Sequence, residues 1–478
     1  MDSKFRVASE RWAALILFLI YDIFQIWFVG HIEVKSNTES LLTYDFNWIE
    51  EFHLNTLTII ALFFIPIIIS YFVGVRSVTR SDMVQIIGPD SLLNRVKMEF
   101  HLGNPDKIEY SIENVDHFLE DLAVGEPEGT YQNLKMLFGI GVMVENLIEK
   151  TGVKSIKRVY MSNELVPNAF TMRILPIPKL GQDWIIINRN IIDILNDDEI
   201  KAVVAHEIGH AARKDSWINS ALYSPRLIII VAWAVLLAAM GEILLDEPFN
   251  QITLIRIFLI FTLMFIIRIV MNFAYRLITF AYRRTELLAD HYAAKVMGEL
   301  KLINALFKIG KRAEVVRILK SDVEYLNTKY NELNENEMSV RLLNMIDPSE
   351  IDINRAREFS IEYFVRSKLN SIYRGFRLNI DDKEFNQLVE RSKDNLYIDL
   401  TNYLNKKKNK SILEKNDINI NFDEDLDRDD LHNLIKNLEE TDNLIFETER
   451  LEKEGVLPET KTHPLVSERL KFLYNCFN

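Results

Sequence analysis

Four long apolar stretches constrain this chain more than any other feature. They run from Trp12 to Gly30, interrupted only by Asp22 and Gln25; from Leu54 to Val75, with Pro66 but no charge; from Leu227 to Leu245, with Glu242 near its end; and from about Leu254 to Phe273, with Arg256 and Arg268. Each is close to the ~20 residues that cross ~30 Å of hydrocarbon as a helix. The first is too long for the apolar core of a cleaved signal peptide, and no small-residue cleavage site follows it. The third and fourth are too long and too uniformly apolar for a buried hairpin of a soluble domain. A mean hydropathy near zero in a chain that is 26% charged fits such spans lying beside very polar segments.

Basic residues orient the spans. Lys4, Arg6 and Arg11 precede the first, Arg76 and Arg80 follow the second, and Arg276, Arg283 and Arg284 follow the fourth. The loop His31 to His53 has Lys35 alone against Glu33, Glu39, Asp45, Glu50 and Glu51, and the loop after the third span begins Asp246-Glu247. The expectation is a multi-pass protein of the cell membrane, with both termini and the polar segments 76–226 and 276–478 on the cytoplasmic side. Asp22 and Arg268 fall at similar depths in spans of opposite direction and could pair, although an Arg268 reaching back to the headgroups fits slightly better.

Composition excludes several classes. Lys and Arg number 56 against 69 Asp and Glu, a net charge of −13 with no basic domain, which argues against nucleic acid as a partner. A single cysteine, Cys476, excludes an intrachain disulfide and a cysteine-rich metal cluster. With 48% hydrophobic residues the chain is not globally disordered.

The polar segments read as mixed. Phe138 to Lys150 is an amphipathic helix ending at Gly152, and Val159–Met161 and Trp184–Ile187 are strands around a turn-rich middle. Residues 301–400 carry a helical pattern, and 405–430 read as a charged, solvated linker. Its basic run, Lys406 to Lys410, fits that reading better than contact with anionic lipid. Its acidic run, Asp423 to Asp430, is not a calcium loop, because Arg428 stands where the turn glycine belongs and Leu434 where the bidentate Glu belongs. The expected fold is mainly α with a small sheet: four transmembrane helices in two hairpins, an α+β domain at the cytoplasmic face and an extra helical C-terminal region. Its expected parts are a transmembrane hairpin at 1–80, a cytoplasmic part at 81–226, a second hairpin at 227–275, a further helix at 276–300, a helical insertion with the charged linker at 301–455 and a C-terminal motif at 456–478.

The chemistry gathers between Asn196 and Asp215. Asp197, Asp198 and Glu199 open this stretch and Arg213 and Lys214 close it, a charge order that suits a helix dipole. On that helix His206 and His210 are one turn apart on one face, spaced to chelate one zinc ion, and Glu207 can reach a zinc-bound water. A catalytic site needs a third protein ligand with one position left open. The segment after the fourth span offers Glu286 and Asp290, again one turn apart, the first as a ligand and the second as a hydrogen-bond partner of a ligand histidine. On this segment alone, two ordinary surface acids remain an equal reading. His291 points about 100° away and reads as structural.

The order of motifs is two spans, PNAF (Pro167–Phe170), HEIGH (His206–His210), two spans, ELLAD (Glu286–Asp290) and a C-terminal His463-Pro464 with Arg469 six residues after the His. In this it resembles the HtpX family of membrane zinc proteases, relatives of the Ste-type CAAX prenyl protease. The resemblance implies one Zn2+ per chain held by His206, His210 and Glu286, with Glu207 as general base and Asp290 orienting a ligand. It further implies that Asn168, Ala169 and Phe170 bind the substrate backbone, that His463 stabilises the oxyanion and that Arg469 steadies the site. The C-terminus would then fold back over the zinc, and loss of 460–478 would stop turnover while leaving zinc bound. Residues 300–455 are expected to have no counterpart in the family, and the stretch 81–133 is longer than the resemblance implies.

The implied function is hydrolysis of membrane or misfolded proteins at the cytoplasmic face, with the bilayer and peptide or membrane-protein substrates as partners. A CAAX-type protease is less favoured, because that type has seven spans and this chain offers four. A non-enzymatic membrane scaffold with an idle metal site is less favoured because Glu207 is intact. Nothing in the sequence fixes an oligomeric state.

Overall fold

The computed structural model describes residues 3–30, 83–100, 112–127, 129–162, 168–174, 181–215, 224–246, 249–313, 361–366, 381–407, 425–441 and 463–477, with a few short pieces between them. The second apolar stretch, 54–75, and the run 408–424 lie largely or wholly outside these residues.

Three helices cover the other apolar stretches: α1 (Ser3–Gly30), and two whose labels follow chain order below, Ser224–Asp246 and Gln251–Met297. Between α1 and these lie β1 (Met83–Ile87), α2 (Leu92–Glu99), α3 (Ile112–Ala123), α4 (Thr130–Thr151), β2 (Ile156–Ser162), β3 (Ala169–Ile174), β4 (Gln182–Asn188) and α5 (Asp197–Arg213). The two helices are then α6 (Ser224–Asp246) and α7 (Gln251–Met297), followed by α8 (Asp382–Lys407), α9 (Arg428–Thr441) and α10 (Val466–Phe477). The architecture is mostly helical with a small mixed sheet.

Helix α7 is the central strut. Asn250 starts it by accepting hydrogen bonds from the Ile252 and Thr253 amides, both 2.9 Å. Its buried positions Ile260, Ile267, Met271, Ala274, Ile278 and Ala281 recur every three, four or seven residues, which makes one packed stripe. The remaining faces leave Phe258, Phe261, Phe265, Ile266, Ile269 and Phe273 exposed. Among the described residues α7 is the one helix long and apolar enough to cross a membrane. Of the four expected spans, the fourth is thus the one that meets this measure; α1 and α6 are helical where spans one and three were expected, and span two lies largely outside the described residues. The fourth span and the helix expected separately at 276–300 are one continuous helix of 47 residues.

Helices α1 and α6 flank α7. The first runs antiparallel to it: Glu10 pairs with Arg284 at 2.9 Å, Ala14, Leu15 and Phe18 pack on Ala274, Ile278 and Ala281, and the Tyr21 hydroxyl donates to the Val270 carbonyl at 2.9 Å. Ile228, Ala232, Leu236 and Ile243 of α6 pack on Ile260, Ile267 and Met271. Asp22 is buried on α1, whereas Arg268 is exposed on α7.

The sheet order is β1-β2-β4-β3, with β2 parallel to β4 and the other pairs antiparallel. Ile185, Ile186 and Ile187 are fully buried, as a β-branched run in a central strand should be. One face of the sheet packs on α4 and α5, and the other gathers Tyr160, Phe170, Met172 and Trp184. Strands β1 and β3 form its two edges among the described residues. Helix α4 ends as expected at Gly152, whose φ of 69° is the left-handed cap that glycine takes without strain.

Helix α5 is the most buried. Asn196 and Glu199 form a reciprocal capping box at its start, and Val203, Val204, Ala205 and Ile208 lie in the core. It crosses α7 closely because Gly209 has no side chain. A Cβ there would meet the Cδ1 and Cβ atoms of Tyr292 at 3.1 and 3.2 Å. Gly209→Ala should therefore lower stability by about 1–3 kcal/mol through overpacking, against the gain of up to ~1 kcal/mol that alanine brings to an ordinary helix interior. Thermal unfolding of the detergent-solubilised protein checks the sign; a raised midpoint would refute this packing.

The C-terminal part closes the core. The end of the acidic run is not linker: Asp427 accepts from the Asp429 and Asp430 amides at 2.8 Å and caps α9. Leu426, Leu431, Leu434, Ile435 and Leu438 join the main core with Leu470 and Leu473 of α10. Phe472 of α10 meets Val7 of α1 and Leu287 and Leu288 of α7, so both end helices lie against the same stretch of α7.

Candidate metal centre

Three donors converge where α5 crosses α7. The Nε2 atoms of His206 and His210 are 3.1 Å apart, and they lie 3.4 Å from Oε2 and Oε1 of Glu286 respectively. All three ligand atoms fall within 4.8 Å of one another. His206 and Glu286 are buried and His210 is half-buried. Two imidazole nitrogens and a carboxylate oxygen facing one point are a donor set that a divalent cation fits.

Each histidine is held from behind by an acid that is itself held by arginine. Nδ1 of His206 lies 2.8 Å from Oδ1 of Asp290. Arg469 grips Asp290 with both ends of its fork, Nε to Oδ2 at 2.7 Å and Nη2 to Oδ1 at 2.5 Å. Nδ1 of His210 lies 3.4 Å from Oδ2 of Asp215. Arg11 donates to Oδ1 of Asp215 at 2.5 Å and Arg213 to Oδ2 at 2.9 Å. Lys214, at φ 58°, turns the chain left-handed and brings Asp215 back beneath α5, where its amide donates to the His210 carbonyl at 3.0 Å. A carboxylate at each Nδ1 selects the Nδ1–H tautomer and leaves the Nε2 lone pairs facing Glu286.

The electrostatics agree. Burial alone would push His210 down, but Glu286 and Asp215 outweigh it and raise its pKa to about 10. His206 is raised in the same way, Asp290 and Glu286 overcoming burial. Glu286 is drawn well below the usual carboxylate range, against burial, by His463 and His210. Asp290 is lowered, against burial, chiefly by Arg469. Such a cluster attracts positive charge, and a bound cation would take the place of those protons.

Glu207 is buried beside the donors, and its Oε2 accepts a hydrogen bond from Thr171 Oγ1 at 2.8 Å. Thr171 belongs to the edge strand β3, which therefore touches the acid directly. Asn168 is exposed just ahead of β3, its carbonyl accepting from the Asn188 amide at 2.9 Å. Ala169 and Phe170 pair with Ile187 and Ile186 of β4, and Phe170 points to the opposite face with Tyr160 and Trp184. His463 is exposed, with Nδ1 3.2 Å from Oε2 of Glu286 and its ring edge-on to Tyr282 at 5.8 Å. Arg469 reaches Asp290 and the Nδ1 side of His206, its Nη2 lying 3.5 Å from that nitrogen. His291 stacks on Phe477 at 5.3 Å, away from the donors.

The structure thus gathers His206, Glu207, His210, Glu286, Asp290, His463 and Arg469, and places the β3 segment against Glu207. Sequence reasoning missed Asp215, Arg11, Arg213 and Thr171. Asp215 had one local signal, five residues past His210 at a helix end. Arg11 had none.

Comparison with known proteins points the same way. The pattern of Peptidase family M48 matches residues 140–476. The chain is 27% identical over 175 residues to a protein named Protease HtpX homolog from Methanocaldococcus jannaschii, covering 36% of this chain and 58% of that protein. It is 29% identical over 189 residues to the homolog from Sulfurihydrogenibium sp., covering 39% and 60%, and 29% identical over 174 residues to that from Pyrococcus furiosus, covering 35% and 54%. The matches thus span a little over half the length of these relatives. No solved structure matches.

Proposed function

Because the chain belongs to peptidase family M48, as an HtpX-like member, we propose that it is a membrane-bound zinc endopeptidase that cuts membrane or misfolded proteins at the cytoplasmic face. The observation that carries this reading is the convergence of His206, His210 and Glu286 on one point, with Glu207 beside them and an acid behind each histidine.

Two imidazoles and one carboxylate suit zinc, which would supply Lewis acidity and a water of pKa near ~7. Glu207, oriented by Thr171, would take the proton of the attacking water and return it to the leaving amine. His463, exposed on the open side of Glu286, would donate to the carbonyl oxygen as it gains charge. The outer edge of β3, which begins just after Asn168 and pairs with no other strand among the described residues, would receive an extended substrate as an added strand. Asp290 and Asp215 would keep both imidazoles in the ligating tautomer.

The exposed phenylalanines of α7 and the apolar outer face of α1 support a bilayer around those helices. Glu286 lies 286 − 273 = 13 residues beyond Phe273 on the same helix, or ~20 Å at ~1.5 Å per residue. The distribution of basic residues supports a cytoplasmic position for that end. A site so placed suits membrane proteins and their polar tails.

The test is metal content and casein cleavage by the purified protein. The expected result is one zinc per chain, activity abolished by 1,10-phenanthroline and restored by zinc. Cleavage that persists at full rate after the metal has been removed would overturn the proposal.

A further inference from the structure

We propose that Arg11, on α1, is a positioning residue for the metal ligand His210, acting through Asp215. This rests on the metal-site reading above. The ligand His206 has behind it a chain of three groups, Arg469–Asp290–His206, whose arginine comes from α10. The ligand His210 has a matching chain, Arg11–Asp215–His210, whose arginine comes from α1, 215 − 11 = 204 residues away from its acid. Each histidine is thus braced by a different end helix.

The contact geometry separates the two arginines on Asp215. Arg213 and His210 share Oδ2, whereas Arg11 holds Oδ1. Two oxygens held from different directions fix the plane of the carboxylate. Without Arg11 it can rotate about Oδ2 and release its aim at Nδ1 of His210. The pair is almost fully buried, with side chains 6% and 3% exposed. A buried ion pair is a poor choice for anchoring alone, because apolar packing does that at lower desolvation cost. Helix α1 already has such packing through Val7, Ala14, Leu15 and Phe18, and a second, more exposed tie in Glu10–Arg284. That leaves orientation of Asp215 as the role that needs a guanidinium at this position. Partners that orient metal ligands typically change metal affinity about 10–100-fold when removed.

The experiment measures zinc affinity of the full-length protein in detergent by competition with a chromophoric chelator, together with the visible spectrum of the cobalt-loaded protein. Arg11→Met should weaken zinc binding about 10–100-fold and alter the cobalt bands, and Arg11→Lys should recover part of the affinity. Glu10→Gln, which cuts the Glu10–Arg284 ion pair between α1 and α7, should leave zinc affinity and cobalt bands unchanged. An Arg11→Met protein with wild-type affinity, or a Glu10→Gln protein that loses as much, would overturn the proposal. If Arg11→Met does not yield folded protein, Arg11→Lys decides, and unchanged affinity and spectrum there count against it. Failure of the wild-type protein to bind zinc would instead reject the metal-site reading itself.

Discussion

Glu207→Gln is expected to keep its zinc and lose nearly all hydrolysis. Glu207 is not among the three converging donors, so the metal site stays complete. The Thr171 hydroxyl that donates to Glu207 Oε2 can donate equally to a glutamine oxygen, so the local fold survives. The amide cannot accept the proton of the attacking water, and general acid–base assistance is worth about 10²–10⁴ in rate. At ~1.36 kcal/mol per decade this is about 3–5 kcal/mol of barrier. Peptide hydrolysis and metal content measured on the same preparation check the result. Full activity with a normal zinc content would sink the proposed mechanism.

The second large effect concerns Arg469. Sequence reasoning assigned the C-terminal segment to turnover alone, with zinc retained after its loss. The structure ties it to the ligands: Arg469 neutralises Asp290, which is fully buried and holds His206. Arg469→Met would leave that carboxylate buried without its cation, at a cost of roughly 3–5 kcal/mol, and would weaken zinc binding as His206 loses its brace. Adding Asp290→Asn should restore part of the stability, since no charge is then stranded. Zinc affinity should stay low, because the amide is a poorer acceptor for Nδ1–H. Unfolding midpoints and chelator competition on the two single variants and the double variant test this. Strictly additive stability losses would show that the two residues are not coupled. His463→Ala, by contrast, removes an exposed side chain outside the three donors and should leave zinc bound.

What the sequence disclosed and what it hid divide along one physical line. His206, Glu207 and His210 were legible because helix geometry fixes their relation within one turn, and Glu286 with Asp290 repeats that spacing. The strands around Val159 and Ile185 were legible from their β-branched residues. Arg11 counted only as a topological marker, since nothing local connects the head of α1 with a loop 204 residues later. Thr171 was hidden by the two-residue period of a strand, which turns it towards Glu207 and its neighbour Phe170 to the opposite face. The acidic run near Asp427 looked like linker because composition alone cannot tell a solvated stretch from the capped start of a packed helix.

The unbroken length of α7 makes it a lever. One arm lies among the exposed phenylalanines, and the other carries Glu286 and Asp290. Pivoting at Phe273 with an arm of ~20 Å, a tilt of ~10° would sweep Glu286 sideways by ~3.5 Å. Metal–ligand distances tolerate only about ±0.2 Å. Transmembrane helices commonly change tilt to match bilayer thickness. The packing of α1, α5 and α10 on the inner arm is therefore what keeps such a tilt from reaching the donors, and the three helices act as the bearing of that lever.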